Sequence, residues 1–222
     1  NQLLKRGLNN GWFNEHDVLY GRLNNAGEDF STINWKSPGT YSSTLAGDAA
    51  WASNAGISGS VNGQINNNWN NSTNNVKYLL DDCTQWVFVK PANNTSVNPL
   101  FYQSLVSVTS NTQIYLDASG DTYSRFNFSD ATAEQTAAYT ASNYFYAMQR
   151  TASTDYNIIV GSTVTNKVIA SSALSGSLFT EMKLGGFYAN IPFYFSGAGS
   201  AQFNVTDLRN DLTWYCQQIG VI

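Results

Sequence analysis

Residues 143–170 decide the fold class: Asn143-Tyr-Phe-Tyr-Ala-Met-Gln-Arg150-Thr-Ala-Ser-Thr-Asp-Tyr-Asn-Ile-Ile-Val160-Gly-Ser-Thr-Val-Thr-Asn-Lys-Val-Ile-Ala170. Tyr144, Tyr146, Met148 and Arg150 share one parity, and Phe145, Ala147 and Gln149 share the other. Aromatic groups on both faces describe an interior strand of a sandwich, covered on both sides at one end. Ala152-Ser153-Thr154-Asp155 is turn chemistry, and residues 156–160 form a second, β-branched run. Gly161-Ser162 breaks that run before a third strand over residues 164–169. The unit is an antiparallel meander, the natural centre of an all-β domain.

The pattern continues outward at regular spacing. Trp86-Val87-Phe88-Val89-Lys90-Pro91 is a strand stopped by proline, and residues 100–108, 113–117 and 123–128 follow. Turns at Asn111 and Ala118-Ser119-Gly120 divide them. Beyond the meander, strands are expected over residues 181–188 and 191–195. Many short strands with such turns indicate a sandwich or barrel. The segment of residues 33–73 suggests shorter strands joined by Gly, Ser and Asn turns, with 66–75 a loop anchored by Trp69. Residues 24–28 form a polar loop.

The ends change period. Leu3, Leu4 and Leu8 predict a short helix, weakened by Gly7 and ended at Asn9-Asn10-Gly11. Near the other end Thr206 is placed to N-cap a helix. Leu208, Leu212, Tyr215 and Ile219 recur at helical spacing, and Gly220 stops it. The whole, residues 1–222, is expected to be a single domain. Residues 1–20 form an N-terminal helix and linker, and 205–220 the C-terminal amphipathic helix.

Composition bounds the partners. Charged residues are 12% of the 222, about half the usual share of roughly 25%, so Asn, Ser, Thr, Tyr and Gly carry the solvation. A net charge of −4 argues against nucleic acid or anionic lipid as partner. No apolar run approaches the length needed to span a membrane as a helix, so no membrane insertion is expected. The start lacks both an initiator Met and the apolar core of a signal peptide, which suggests a processed chain or a piece of a longer one. Cys83 and Cys216 are the two cysteines. They could form one disulfide, but the plainer reading is two small buried hydrophobes.

Candidate chemistry is sparse. Glu15 and Asp17 flank His16, the lone histidine. On a strand they would share a face about 7 Å apart, a spacing from which carboxyl groups could reach the roughly 5–5.5 Å of a retaining glycosidase. The plain alternative is a solvated turn. A hydrolytic triad finds no Ser or Cys signature to go with that histidine. Asp117 and Asp121 lie across a tight turn, as they would in a calcium loop; calcium wants six to eight oxygens, and a plain turn explains the pair better. Asp81-Asp82 is similarly ambiguous. No cofactor is expected. The Asn-rich loop with Trp69, Asn70, Asn71 and Tyr78 is the candidate ligand site, because aromatic faces stack on sugar rings while amides bond their hydroxyls. Trp35 and Trp51 lie in similar surroundings. Buried aromatic anchors would give the same pattern.

Four segments together resemble one family. They are residues 1–20, with Asn1-Gln2-Leu3-Leu4-Lys5-Arg6, Gly11-Trp12-Phe13 and Val18-Leu19-Tyr20; Ile33-Asn34-Trp35-Lys36-Ser37-Pro38-Gly39-Thr40-Tyr41; Ile65-Asn66-Asn67-Asn68-Trp69-Asn70-Asn71-Ser72-Thr73-Asn74; and Ala147-Met148-Gln149-Arg150-Thr151-Ala152-Ser153 with Ile159-Val160-Gly161. This resembles the concanavalin A-like (laminin G-like) β-sandwich domains of structural and fibre proteins of tailed bacteriophages. Two stretches depart from that family's pattern: Val160-Gly161-Ser162 stands where Asn-Gly is common. Leu184-Gly185-Gly186-Phe187-Tyr188-Ala189-Asn190 replaces an Ile-Gly-Ala/Gly-x-Asn-x-x-Gly stretch. The resemblance implies an all-β, concanavalin A-like jelly-roll sandwich of two antiparallel sheets. It implies a non-enzymatic part of a virion surface, alongside other virion proteins, assembled as a homo-oligomer and contributing to adhesion to host-surface glycan. Glucanases of this fold class carry Glu-x-Asp-x-x-Glu on the catalytic strand. Here Tyr20 stands at the third acidic position, which weakens the alternative of a secreted lectin or glycoside hydrolase.

Overall fold

The computed structural model describes residues 2–24, 26–58, 62–71, 73–79, 81–90, 98–104, 111–116, 121–125, 135–138, 144–168, 182–185 and 191–222. The chain opens with α1 (Gln2–Asn9), a 3-10 turn (Trp12–Glu15), β1 (His16–Gly21) and α2 (Glu28–Thr32). Short strands β2 (Thr44–Ala46), β3 (Ala50–Ala52), β4 (Gly56–Ser58) and β5 (Gln64–Asn66) follow. Longer ones come next: β6 (Cys83–Val89), β7 (Asn98–Ser104), β8 (Asn111–Leu116), β9 (Asp121–Arg125) and β10 (Gln135–Ala138). The meander is β11 (Phe145–Arg150), β12 (Asp155–Val160) and β13 (Thr163–Val168); β14 (Lys183–Gly185), β15 (Phe193–Gly199) and α3 (Val205–Gln218) complete the order.

The strands form two sheets. The first runs β13-β12-β11-β6-β15-β4-β3, with β1 also on β15; the second runs β10-β9-β8-β7-β14-β5-β2. Every pairing recorded for them is antiparallel. The β-sandwich read from the sequence is therefore present, with residues 143, 169 and 170 of the deciding stretch outside the described residues.

Two apolar cores explain why the central strands are hydrophobic on both faces. Between the sheets lie Val18, Tyr20, Ile65, Trp69, Val87, Tyr146, Met148, Ile158 and Leu184. Behind the first sheet, Leu19, Trp86, Phe88, Phe145, Ala147 and Phe195 meet Leu3, Trp12, Leu208, Leu212 and Cys216 from the helices and the 3-10 turn. All of β6 and β15 is buried in consequence. Met148 and Phe145, adjacent parities on β11, face different cores, as the alternation requires.

The C-terminal helix differs in detail from its expectation. Asn204, not Thr206, is the N-cap, its side chain accepting from the Thr206 N–H at 2.9 Å. Asparagine is at least as good a cap as threonine, and the helix starts two residues earlier than Thr206 would set it. Cys216 completes the buried stripe in place of Ile219, which is exposed. Gly220, at φ +71°, closes the helix with Val221 N–H donating to the Cys216 carbonyl, a Schellman ending. In α1, Leu8 is exposed and Gly7 is buried. A Cβ on Gly7 would lie 2.5 Å from Trp12 Cζ2, so the glycine that weakens the helix makes room for the tryptophan.

The ends of the chain are tied together. The buried Asp211 carboxylate of α3 accepts from Arg6 Nε at 2.6 Å, Asn10 Nδ2 at 2.8 Å and Trp12 Nε1 at 2.8 Å. Cys83 and Cys216 are free thiols in different cores, on opposite faces of the first sheet, so no disulfide joins them. Burial pushes both thiols up, Cys216 to about 12.

Candidate functional site

The expected loop site turns inward. Trp69 is fully buried and Tyr78 is 2% exposed, their rings edge-to-face at 5.5 Å within the core between the sheets. Trp69 Nε1 donates to the Asn74 carbonyl, and the Trp69 carbonyl accepts from Met182 N–H at 3.0 Å. Asn71 is buried too, and Asn70 is half-buried with its N–H on Asn74 Oδ1. Trp69 is the anchor of the loop, and neither it nor Tyr78 offers a ring face to a sugar. The physical reason is the large apolar area of both rings, which the core gains by enclosing them. Trp35 and Trp51 are half-buried and pack against the two cores.

The Glu-His-Asp stretch is structural in its contacts. The Asp17 carboxylate accepts from three successive backbone N–H groups, Val76 at 3.1 Å, Lys77 at 2.9 Å and Tyr78 at 2.8 Å. Glu15 Oε2 accepts from Ser200 Oγ at 2.9 Å and sits 3.4 Å from Lys77 Nζ. His16 is buried: its Nδ1 donates to the Trp12 carbonyl at 2.7 Å, while Nε2 accepts from Trp86 Nε1 at 2.7 Å. Those two bonds define a neutral ring, and burial lowers its pKa to about 4. Asp82 binds Ala201 N–H and Gln202, and Asp81 pairs with buried Arg150 at 3.4 Å. Asp117 and residues 118–120 lie outside the described residues, so the calcium reading falls there. Among the described residues no cluster of three or more metal-ligating side chains occurs.

What the fold does assemble is a cleft of about 420 Å³ above His16, between the segments of residues 36–41 and 74–77. Asn14, Asp17, Lys36, Ser37, Thr40, Tyr41, Asn74, Val76 and Lys77 line it. Tyr41 is half-buried against the core and adopts φ +55°, a left-handed conformation uncommon for a tyrosine. The Tyr20 hydroxyl lies 2.7 Å from the Tyr41 carbonyl and 2.8 Å from that of Asn67, sharing its one proton between them. Burial pushes the Tyr20 phenol well above its ordinary range, so it stays a donor.

Beneath that wall Arg22 is fully buried. Its guanidinium reaches the Ser31 carbonyl, Ser43 Oγ, Asn67 Oδ1 at 2.7 Å and Ser196 Oγ, and stacks 4.8 Å from the Tyr20 ring. Burial lowers its pKa to about 10. Asn34, also buried, accepts from Leu19 N–H and Lys36 N–H through Oδ1. Lys36 Nζ donates to the Phe13 carbonyl and lies over the Phe13 ring. Burial, then the nearby Lys77, lowers its pKa.

Residues 33–41 stand out in the sequence as a turn-rich segment, but nothing in it marks Tyr41 as left-handed. Val76 and Lys77 line the cleft where Asp17 holds their backbone N–H groups. Neither effect has a local sequence signal.

No family model and no curated protein matches the sequence. Solved structures do match. The receptor-binding domain of the botulinum neurotoxin C/D mosaic serotype superposes with a TM-score of 0.57 at 9% identity, over 93% of this chain and 52% of that one. The botulinum neurotoxin serotype D binding domain gives 0.57 at 8% identity, over 93% and 52%. A mutant of Trypanosoma rangeli sialidase displaying trans-sialidase activity gives 0.63 at 10%, over 97% of this chain and 38% of that one. The chain thus spans about half of the toxin domains and well under half of the sialidase. What they share with it is a β-sandwich.

Proposed function

We propose that this chain is a non-enzymatic recognition domain that binds glycan in the cleft beside Tyr41. The carrying observation is the cleft's lining: one half-buried aromatic ring, the amides of Asn14 and Asn74, and the hydroxyls of Ser37 and Thr40 in about 420 Å³. Rings stack on the apolar faces of sugars, and amides and hydroxyls bond their hydroxyl groups. The solved neighbours described as receptor-binding domains of neurotoxins support recognition as the use of such a fold. Catalysis is disfavoured by the carboxylates. Asp17 is saturated by backbone amides and Glu15 is held by Ser200 and Lys77, which leaves neither poised as acid or nucleophile.

The four phage-like segments support a place on a virion surface, in a fibre, tail or capsid decoration of concanavalin A-like jelly-roll type, where host-surface glycan would be the ligand. A glycan panel read for binding and for turnover on the same samples tests this. Binding without product, lost in Tyr41→Ala with the fold intact, is the expected result. Hydrolysis that disappears in Glu15→Gln would overturn the non-enzymatic part, and binding indifferent to Tyr41→Ala would move the site elsewhere.

A further inference from the structure

Strand β13 is the outermost strand at one side of the first sheet, and among the described residues no strand pairs with its outer edge. Its ladder with β12 is regular over six pairs, from Val160↔Thr163 to Asp155↔Val168, without a bulge. A two-residue turn, Gly161-Ser162, makes Val160 and Thr163 the closing hydrogen-bonded pair. Alternation then directs the N–H and C=O groups of Val164, Asn166 and Val168 outward, away from β12. The same three side chains stand on one face and all are exposed, Val164 by 55% and Val168 by 74%. The usual protections of an edge are scarce here: there is no proline and no bulge, and Lys167 is the lone charge.

We propose that this edge is a self-association surface, on which β13 pairs antiparallel with β13 of a second copy about a twofold axis at Asn166. Only this register engages all three outward-facing residues of the strand at once. It sets Asn166 against its own copy and Val164 against Val168 of the second copy, twice by symmetry. Two β-branched cross-strand pairs then cover each other on the face where each valine is now in water. Asn166 Nδ2 already donates to Asn157 Oδ1 on β12 at 3.2 Å, so the pairing extends that amide row across the axis. The surface is self-complementary in hydrogen bonds and in side chains, as an isologous contact demands, which favours a second copy over an unrelated strand. The result is one continuous sheet of twice the eight strands of the first sheet. With one strand edge as its interface, the dimer is weak and depends on concentration.

Sedimentation velocity over a concentration series on the whole chain tests it. A reversible dimer is expected. Val164→Lys with Val168→Lys places lysine against lysine in both pairs and should weaken the dimer by ~10-fold or more. Val164→Lys with Val168→Glu places lysine against glutamate in this register and should restore it. All these positions are solvent-exposed, and an unchanged circular-dichroism spectrum checks the fold. A monomer throughout, up to on the order of 1 mM, overturns the proposal. So does a dimer indifferent to the paired lysines, or one that the lysine–glutamate pair fails to restore.

Discussion

The long central strands and the segment of residues 33–79 sit side by side and are held by different forces. Strands β6, β11 and β15 lie between two apolar layers, with ring after ring closing on both faces. Among its described residues the segment of residues 33–79 has only three-residue strands, and its shape depends on polar groups: buried Asn34, Ser43 and Asn67 within it, and buried Arg22 and Tyr20 with half-buried Asp17 reaching into it. Apolar burial is non-directional and fixes a layer, whereas hydrogen bonds are directional and fix a loop. The cleft proposed for glycan lies in the part set by hydrogen bonds.

The sharpest way to break that contrast is Leu212→Ala, in the core behind the first sheet. Leu212 is fully buried, so the cavity should cost roughly 2–4 kcal/mol in denaturant unfolding while glycan affinity stays unchanged. A loss of affinity at conditions where the variant is folded would show that the two regions are not separable.

A second test uses pH. His16 has a folded pKa of about 4 against an ordinary 6.5, so the unfolded chain takes up the proton first. Its contribution to stability is complete above pH 6.5 and is lost as the pH falls toward 4, about 3 kcal/mol by that point. His16→Gln should flatten this part of the stability–pH curve, as followed by thermal unfolding.

Within the loop-built region the costs should be smaller and the binding effects larger. Asn34→Ala leaves Leu19 N–H and Lys36 N–H without their acceptor and should cost roughly 1–3 kcal/mol. Calorimetric titration with a bound glycan should show weaker affinity, because Lys36 and Tyr41 follow Asn34 in the cleft wall. The mildest change is Tyr20→Phe, which removes the hydrogen bond to the Tyr41 carbonyl at about 1 kcal/mol of stability. Affinity should fall further than stability does. Equal falls would mean that the left-handed Tyr41 needs no such support.

The same contrast explains what the sequence made legible. The meander was readable because a strand's period of two survives in Tyr146, Met148 and Ile158 against Phe145, Ala147 and Ile159. The terminal helix was readable from Leu208 and Leu212. Its cap shifted by two residues and its last apolar contact by about a turn, the usual uncertainty at helix ends. Helix α2 was missed and a loop was expected nearby, because Glu28-Asp29-Phe30-Ser31-Thr32 has no apolar stripe and Phe30 is exposed. The inward turn of Trp69 was hidden for a related reason. Trp69 and Tyr41 are both aromatic residues in Asn- and Ser-rich surroundings, and only long-range partners decide which one faces inward.

The clasp at Asp211 bears on how the molecule comes apart. In most domains the first few residues at either end fray long before the interior opens. Here Arg6, Asn10 and Trp12 from one end share a single buried carboxylate from the other, so neither helix can peel away without stranding that charge. Fraying is thereby moved from the termini to the interior of the chain, and amide protons should exchange earliest in the short strands β2 to β4, with α1 and α3 among the last to yield.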